Sequence, residues 1–289
     1  MIAPLGDCVV HDVASEAVGD TFRIFVGHCH QEGAVDLPVV YVTDANGAFG
    51  LTVDTVRYLQ MAGHLPSMLV VGVGYPVAVM RHALDLRCRD LTPTVTDTMR
   101  AGDGTVLPSG GAAPFLAFLA DELRPWVADR FAVGSDAVYA GHSLGGLFGA
   151  YTMFERPATF RGYALASPSI WWDDREVLGR EATYAATHDD LAATVVVTVG
   201  GHETPAGRER AATQLPAFAR RPPLASPHDL VADAESFVDA LHRRRYPSLR
   251  LHHRTLVDEH HTTVPPVAVG HALRVLFGAP GADALIPPR

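Results

Sequence analysis

The chain has 289 residues, of which 48% are hydrophobic and 19% are charged, and its formal net charge is −9. A composition of this kind can bury a core, which excludes a chain that is disordered throughout. The excess of acidic residues, without a basic tail or stripe, also argues against nucleic acid as a partner.

Cysteine content and hydropathy bear on the expected compartment. Three cysteines, Cys8, Cys29 and Cys88, are too few and too scattered for a disulfide framework or a four-thiolate zinc site. We therefore expect reduced thiols and a cytoplasmic protein. The N-terminal residues lack the basic and apolar regions of a signal peptide. The most apolar stretch, residues 68–80, is shorter than the roughly 20 residues of a membrane span, so we expect no membrane partner.

Short apolar runs alternate with helical patterns along the chain. The runs predicted to be buried strands are residues 21–26, 39–42, 68–73, 137–140, 163–166, 195–199 and 249–257. The patterns predicted to be helices are residues 114–130, 144–155, 232–244 and 266–277. Val-rich strands separated by helices are typical of a parallel sheet that is covered on both faces. The sequence therefore predicts one α/β domain over residues 1–289, with a mostly parallel central sheet and helices on both faces.

Two segments fit this alternation poorly. Residues 74–113 and residues 202–227 are rich in Arg and Pro and follow predicted strands. Loops of this length inside a domain are usually lids or binding loops. Because both follow strands, we expect both insertions at the carboxyl edge of the sheet, where ligands bind in open α/β folds.

The sharpest motif is a G-x-S-x-G pattern, Gly141-His142-Ser143-Leu144-Gly145, between a predicted strand and a helix of small residues. An abrupt strand-to-helix turn would raise the Ser143 hydroxyl above the sheet, and the flanking glycines leave room for that turn. The Leu144 amide, at the new helix N-terminus, could then bind an oxyanion. The competing interpretation is a glycine-rich turn that carries an ordinary serine.

A nucleophilic serine needs a base and a group that orients the base. The last predicted strand leads into His260 and His261, and His261 is preferred because it is nearest the following helix. The preceding strand leads into Glu203, which is the preferred acid. Asp229 and Asp258 are alternative acids, and a serine–histidine dyad without an acid is also open.

Seven segments together resemble the putative-esterase family of α/β-hydrolases, close to the trilactone siderophore esterases. The resemblance covers roughly residues 20–278. Its markers are YVTDANGAFG (41–50), GVGYP (72–76), RCRDLTPT (87–94), AGHSLGGLFGAY (140–151), ASPSIWW (166–172), VGGHE (199–203) and HHTTVPP (260–266). Several markers in the family's order are much more specific than the serine motif alone.

The resemblance implies a role for each site residue. Ser143 would be the nucleophile, His261 the base and Glu203 the acid. The backbone amide of Ala45 or Asn46 would supply the second oxyanion donor. The chain departs from the family where Ala45 and Thr262 replace common glycines.

Four further residues are candidates for substrate contact. Arg89, in the segment that resembles the family's R-D-x-T-P-T stretch, would either hold a substrate anion or pin its loop. Trp171 and Trp172 would either wall an acyl or aryl pocket or pack in the core. His142, beside the serine, completes the set.

Metal and nucleotide sites are not expected. His28 and His30 share a face of a predicted strand, but neither a third ligand nor an H-E-x-x-H motif accompanies them. Gly72 and Gly74 lack the rest of a dinucleotide fingerprint. We therefore expect no cofactor.

These observations predict a serine carboxylic-ester hydrolase that forms an acyl-enzyme on a small-molecule ester. The resemblance implies a siderophore lactone, while short-chain and aryl esters are equally open. Two alternatives are an acyltransferase on the same scaffold and a non-catalytic ligand-binding module. The oligomeric state is not predicted.

Overall fold

The computed structural model describes residues 6–77, 80–97, 99–101, 103–214 and 228–278. Within these residues, eight strands form one sheet. The strands are β1 (Cys8–Ser15), β2 (Asp20–Cys29), β3 (Leu37–Val42), β4 (Met68–Gly74), β5 (Val133–His142), β6 (Gly162–Ala166), β7 (Thr194–Gly200) and β8 (Arg250–Leu256).

The strand order is β1-β2-β4-β3-β5-β6-β7-β8. Strand β2 pairs antiparallel with β1 and β4, and all the other neighbours are parallel. Central strands such as β4 are buried along their whole length, because helices cover both faces of the sheet. The predicted α/β-hydrolase fold class, with its mostly parallel sheet, is confirmed.

Helices connect the strands of this sheet. They are α1 (Ala45–Met61), α2 (Met80–Asp90), α3 (Ala112–Ala117), α4 (Arg124–Ala128), α5 (Leu144–Glu155), α6 (Trp172–Ala185), α7 (Pro205–Gln214), α8 (Leu230–Arg244) and α9 (Val264–Phe277). Helices α1 and α9 cover one face of the sheet, while α5 and α8 pack on the other. Every helix in the described part of the chain is too short or too polar to span a lipid bilayer.

Several elements differ from the sequence predictions. Helices α2 and α7 lie inside the segments 74–113 and 202–227, so neither segment is loop throughout, and residues 215–227 lie outside the described residues. Helices α1 and α6 were not predicted. The Gly, Thr and Val residues of α1 weaken its helical pattern, and α6 has non-helical backbone at residues 173–175. Strand β1 was also missed, because it is an exposed edge strand with few buried side chains.

The predicted helix over residues 114–130 contains a π-helical turn. Phe118–Leu123 adopts π geometry between α3 and α4. The turn lies just before Pro125, whose ring would clash with the carbonyl of Asp121 in a regular α-helix. A wider turn relieves this clash, and the helical path continues to Ala128.

The parallel strands all end at the same edge of the sheet. The loops that follow β3, β5, β6, β7 and β8 therefore begin close together. Five polar residues lie at or just after these strand ends: Asp44, Ser143, Ser167, Glu203 and His261. The fold brings to one edge residues that are more than two hundred positions apart in the sequence.

Candidate active site

Ser143 lies at the sharp turn between β5 and α5. Its backbone has φ 60° and ψ −117°, a strained conformation for a residue with a side chain. A β-carbon at Gly141 would overlap the Gly145 carbonyl, and one at Gly145 would lie 2.7 Å from Thr43 Oγ1. The glycines are therefore required by the turn, as the motif predicted.

The Ser143 hydroxyl is held loosely. Its hydrogen-bond partner within the described part of the chain is Ser169 Oγ, at 3.4 Å, rather than the imidazole of His261. The Ser143 backbone is fixed more firmly, because its N–H donates to Ala166 O at 2.9 Å and its carbonyl accepts from Ser169 N at 3.1 Å. Catalytic hydrogen bonds are often long in ligand-free enzymes and tighten when substrate binds.

His261 and Glu203 form a short hydrogen bond. His261 Nδ1 lies 2.5 Å from Glu203 Oε2, and the Glu203 side chain is only 2% exposed. The N–H at Nδ1 donates to the carboxylate, which leaves Nε2 as the proton-accepting nitrogen. This is the arrangement of an orienting acid and a general base.

The competing residues have other partners. Asp229 caps α8, where its side chain accepts from Ala232 N at 3.0 Å. Asp258 is exposed on the loop after β8. His260 Nδ1 lies 3.2 Å from Thr262 Oγ1. The structure thus brings Glu203 and His261 together and leaves the alternatives outside this pair.

Two buried serines, Ser167 and Ser169, join the site, although the sequence analysis quoted them only within a family marker. Ser167 Oγ donates to Glu203 Oε1 at 2.5 Å, and Ser169 Oγ lies beside Ser143. Both side chains are almost inaccessible, at 0% and 1% exposure. Both follow the end of β6 in the segment Ala-Ser-Pro-Ser. This one turn therefore contacts the candidate acid through Ser167 and the candidate nucleophile through Ser169.

The predicted oxyanion donors lie at two helix starts. Leu144 is the first residue of α5, and Ala45 and Asn46 are the first two residues of α1. First-turn amides have no partner within their own helix, so they are available to an anion. The Asn46 side chain fixes the start of α1, since it bonds both the N–H and the carbonyl of Tyr75, at 2.8 Å and 2.9 Å.

Arg87, which the sequence analysis did not select, holds the two helix starts together. Its guanidinium binds both carboxylate oxygens of Asp44, at 2.6 Å and 3.0 Å, and donates to the carbonyl of His142 at 3.3 Å. Burial disfavours the charge on Arg87, but the Asp44 carboxylate outweighs this cost and raises the pKa of Arg87. The pair links the loop before α1 to the residue before Ser143.

Arg89, the predicted candidate, has different contacts. Its guanidinium binds Asp90 at 2.7 Å and 3.0 Å and Asp20 at 2.9 Å. Asp90 is almost fully buried, and burial raises its pKa even though Arg89 opposes this effect. Arg89 lies on α2, and these ion pairs tie the end of that helix to the start of β2. That Arg89 binds a substrate anion stays a prediction.

His142 contacts the candidate base directly. Its ring centroid lies 4.5 Å from that of His261. Burial, with His261 and Arg87 as lesser causes, holds the pKa of His142 well below its usual value. His142 is therefore a neutral ring beside the base.

The two tryptophans differ in exposure. Trp172 is fully buried and donates to Thr94 Oγ1 at 3.0 Å, which makes it part of the core. Trp171 is partly exposed and stacks on His228, with ring centroids 4.9 Å apart. Trp172 is thus inaccessible from outside the protein, whereas part of Trp171 is exposed.

No group of three or more potential metal ligands occurs among the residues that the structure describes. His28 and His30 do lie together on one face, as predicted, with His28 Nδ1 3.1 Å from His30 Nε2. Each of these two ring nitrogens thus has the other as its hydrogen-bond partner.

Comparisons with known proteins identify the family and the fold. The family model described as "Putative esterase" matches residues 15–261, which is most of the chain. The siderophore enterobactin esterase of Emericella nidulans is 37% identical over 48% of this chain and 48% of its own length. The siderophore triacetylfusarinine C esterase of Aspergillus fumigatus is 32% identical over 60% of this chain and 59% of its own length.

A third curated relative, the ferri-bacillibactin esterase BesA of Bacillus subtilis, is 33% identical over 49% of this chain and 50% of its own length. The matched part of the chain thus spans about half the length of these relatives. Solved structures share the fold over much more of the chain. The BES protein from Bacillus cereus has a TM-score of 0.78 at 24% identity, covering 96% of this chain and 99% of its own. The siderophore hydrolase EstA from Aspergillus nidulans has a TM-score of 0.76 at 22% identity, covering 96% and 97%.

Proposed function

Since the chain belongs to the putative-esterase family, we propose that it is a carboxylic-ester hydrolase that forms an acyl-enzyme on Ser143. The observation that carries this proposal is the hydrogen bond between His261 and the buried Glu203, which lies at the same sheet edge as the strained Ser143 turn. The pair supplies a base whose free nitrogen is defined, and the turn exposes a hydroxyl for that base to activate.

In the acylation step, Ser143 Oγ attacks the ester carbonyl while His261 Nε2 takes the hydroxyl proton. The negative charge that develops on the carbonyl oxygen is stabilised by the Leu144 amide and by the Ala45 or Asn46 amide. Glu203 stabilises the imidazolium through its bond to Nδ1. The imidazolium then gives its proton to the departing alcohol, and the acyl group stays on Ser143.

In the deacylation step, water replaces the alcohol. His261 Nε2 takes a proton from the water as its oxygen attacks the acyl carbon, and the same donors stabilise the second oxyanion. Proton return to Ser143 releases the carboxylic acid and restores the free enzyme.

We propose a siderophore ester as the substrate. The three curated relatives are named for enterobactin, triacetylfusarinine C and ferri-bacillibactin, which supports this class of small molecule over simple aryl esters. Trp171, which is partly exposed and two residues after Ser169, is our candidate for a side chain that contacts the acyl part.

The test is a hydrolysis screen of nitrophenyl esters of increasing chain length together with a catecholate trilactone, metal-free and iron-loaded. We expect the trilactone to have the highest kcat/KM, and Ser143→Ala to lower kcat at least about 10⁴-fold because it removes the attacking atom. Mass spectrometry would identify the products.

The same reagents separate the rival functions. A fluorophosphonate probe is expected to label Ser143 in the folded wild-type protein and not in Ser143→Ala. Absence of label on Ser143 would favour the non-catalytic binding module. If an added alcohol captured the acyl group in preference to water, the acyltransferase would replace the hydrolase.

A further inference from the structure

The Glu203 carboxylate has more partners than orientation of a histidine requires. Oε2 binds His261 Nδ1, while Oε1 accepts from the Gly200 N–H at 2.8 Å and from the Ser167 hydroxyl at 2.5 Å. An ionised carboxylate only accepts hydrogen bonds, so Ser167 is the donor. Both donors occupy Oε1, which leaves Oε2 free for the imidazole.

The backbone of Ser167 is unusual for a serine. Its φ is +42°, in the left-handed region, and the next residue is Pro168. A side chain disfavours that region, and a following proline restricts the residue further. Glycine would adopt this conformation at lower cost.

The surroundings of Ser167 give its hydroxyl one clear role. The residue is 0% exposed, and its N–H donates to Thr198 O at 2.7 Å, so the backbone is anchored to the neighbouring strand. Its hydroxyl cannot reach solvent or a substrate, and it points at the candidate acid. A strained serine whose hydroxyl meets a buried carboxylate is the kind of outlier from which function is inferred.

We propose that Ser167 is a positioning residue for the reaction, because its hydroxyl holds the Glu203 carboxylate with Oε2 facing His261. This inference rests on the proposed function, in which His261 is the base. Without the hydroxyl, Oε1 keeps only the hydrogen bond from the Gly200 N–H. One hydrogen bond does not fix the plane of the carboxylate, so the Glu203 carboxylate can turn away from His261. The imidazole would then lose part of the partner that fixes its ring.

The test separates the hydroxyl from the backbone. Ser167→Ala removes the hydroxyl, and Ser167→Gly removes it while also relieving the positive φ. We expect both variants to lower kcat about tenfold to hundredfold, which is the fold-change that corresponds to the free energy of a hydrogen bond to a charged group. KM should stay within about threefold of wild type. Ser167→Gly should melt no lower than Ser167→Ala, because glycine tolerates the turn. If the serine served only the turn, Ser167→Gly would keep wild-type kcat.

A second readout does not depend on turnover. The proton between His261 Nδ1 and Glu203 Oε2 is expected to give a far-downfield ¹H NMR signal, assigned by its loss in His261→Ala. In both Ser167 variants the signal should broaden or move upfield. Ser15→Ala is the matched control, since Ser15 is also buried but accepts from Val18 N at the far edge of the sheet. This control should keep both kcat and the signal.

The outcomes distinguish the two proposals. An active wild-type protein, with wild-type kcat and an unchanged NMR signal in Ser167→Gly, would overturn the role of Ser167 alone. A wild-type protein that fails to hydrolyse esters and to label at Ser143 would overturn the proposed function. In that case the NMR comparison still decides whether Ser167 positions the carboxylate.

Discussion

The two ends of the Ser143–His261–Glu203 arrangement are built differently. At the acid end, every contact of the Glu203 carboxylate lies between 2.5 and 2.8 Å, and the group is almost fully buried. At the nucleophile end, the Ser143 hydroxyl has one distant partner among the described residues, Ser169 at 3.4 Å, and the strained turn sets the position of its backbone.

The difference indicates what maintains each end. The acid is held by hydrogen bonds from the ends of β6 and β7 and from the loop after β8, so a change in any donor can move it. The serine is held by the backbone of the turn, and its hydroxyl has a single long contact, to Ser169, within the described part of the chain. We therefore expect the acid end to depend on side-chain hydrogen bonds and the nucleophile end to depend on backbone geometry.

Among the substitutions that test the acid end and its supports, Glu203→Gln is expected to have the largest effect. The amide keeps the size of the side chain, but only one of its two terminal atoms can accept a hydrogen bond. Either the His261 N–H or the Ser167 and Gly200 donors therefore lose their acceptor. We expect kcat to fall about 10⁴-fold, as when the orienting carboxylate of a catalytic triad is made neutral. Ester hydrolysis under saturating substrate measures this change.

Asp229→Asn is the matched control for Glu203→Gln, because Asp229 was an alternative acid. Asparagine is as good a helix cap as aspartate, so this variant should retain both its stability and its kcat. A large loss of kcat in Asp229→Asn, together with an active Glu203→Gln, would show that the acid is misassigned.

A second prediction compares two arginines that lie two positions apart on α2. Arg87→Gln leaves Asp44 without its cation beside the start of α1 and releases the carbonyl of His142. We expect a decrease in kcat of about tenfold to hundredfold, because the two oxyanion donors are no longer held in register. Steady-state kinetics and urea unfolding measured together separate lost activity from lost stability.

Arg89→Gln sharpens this comparison. Among the described residues its guanidinium bonds Asp20 and Asp90 and does not bond Asp44 or His142, so we expect lower stability but a kcat within about threefold of wild type. If Arg89→Gln instead raised KM strongly and Arg87→Gln left kcat unchanged, Arg89 would bind the substrate and the coupling by Arg87 would be wrong.

These residues also indicate how far the sequence predicted the site. The G-x-S-x-G turn and helix 144–155 were predicted with their observed limits, because glycines and small side chains encode that turn locally. Glu203 and His261 followed from strand order. Arg87 could not be chosen over Arg89, because α2 was not predicted and the rotation of a helix decides which side chain faces the site. The role of Ser167 was also not predicted, since nothing in the segment Ala-Ser-Pro-Ser predicts a positive φ at this serine.

The smallest expected effect concerns His142, which joins the two ends because it precedes Ser143 and its ring contacts that of His261. Burial lowers its pKa, so the folded protein keeps His142 neutral while the unfolded chain protonates it below about pH 6.5. The unfolded state thus binds more protons, and this contribution to stability is present above pH 6.5 and lost as the pH falls.

His142→Phe keeps a ring against His261 and removes this titration, so its free energy of unfolding should fall less than that of wild type between pH 6.5 and pH 5. Urea unfolding at several pH values measures the difference, which should disappear above pH 8. His253→Phe is the matched variant, because burial also lowers the pKa of His253, on β8. It should reduce the pH dependence of stability in the same direction and leave kcat unchanged. If the free energy of unfolding of His142→Phe changed with pH as much as that of wild type, the His142 ring would be hydrated in the folded protein. The contact between His142 and His261 would then be looser than their ring distance indicates.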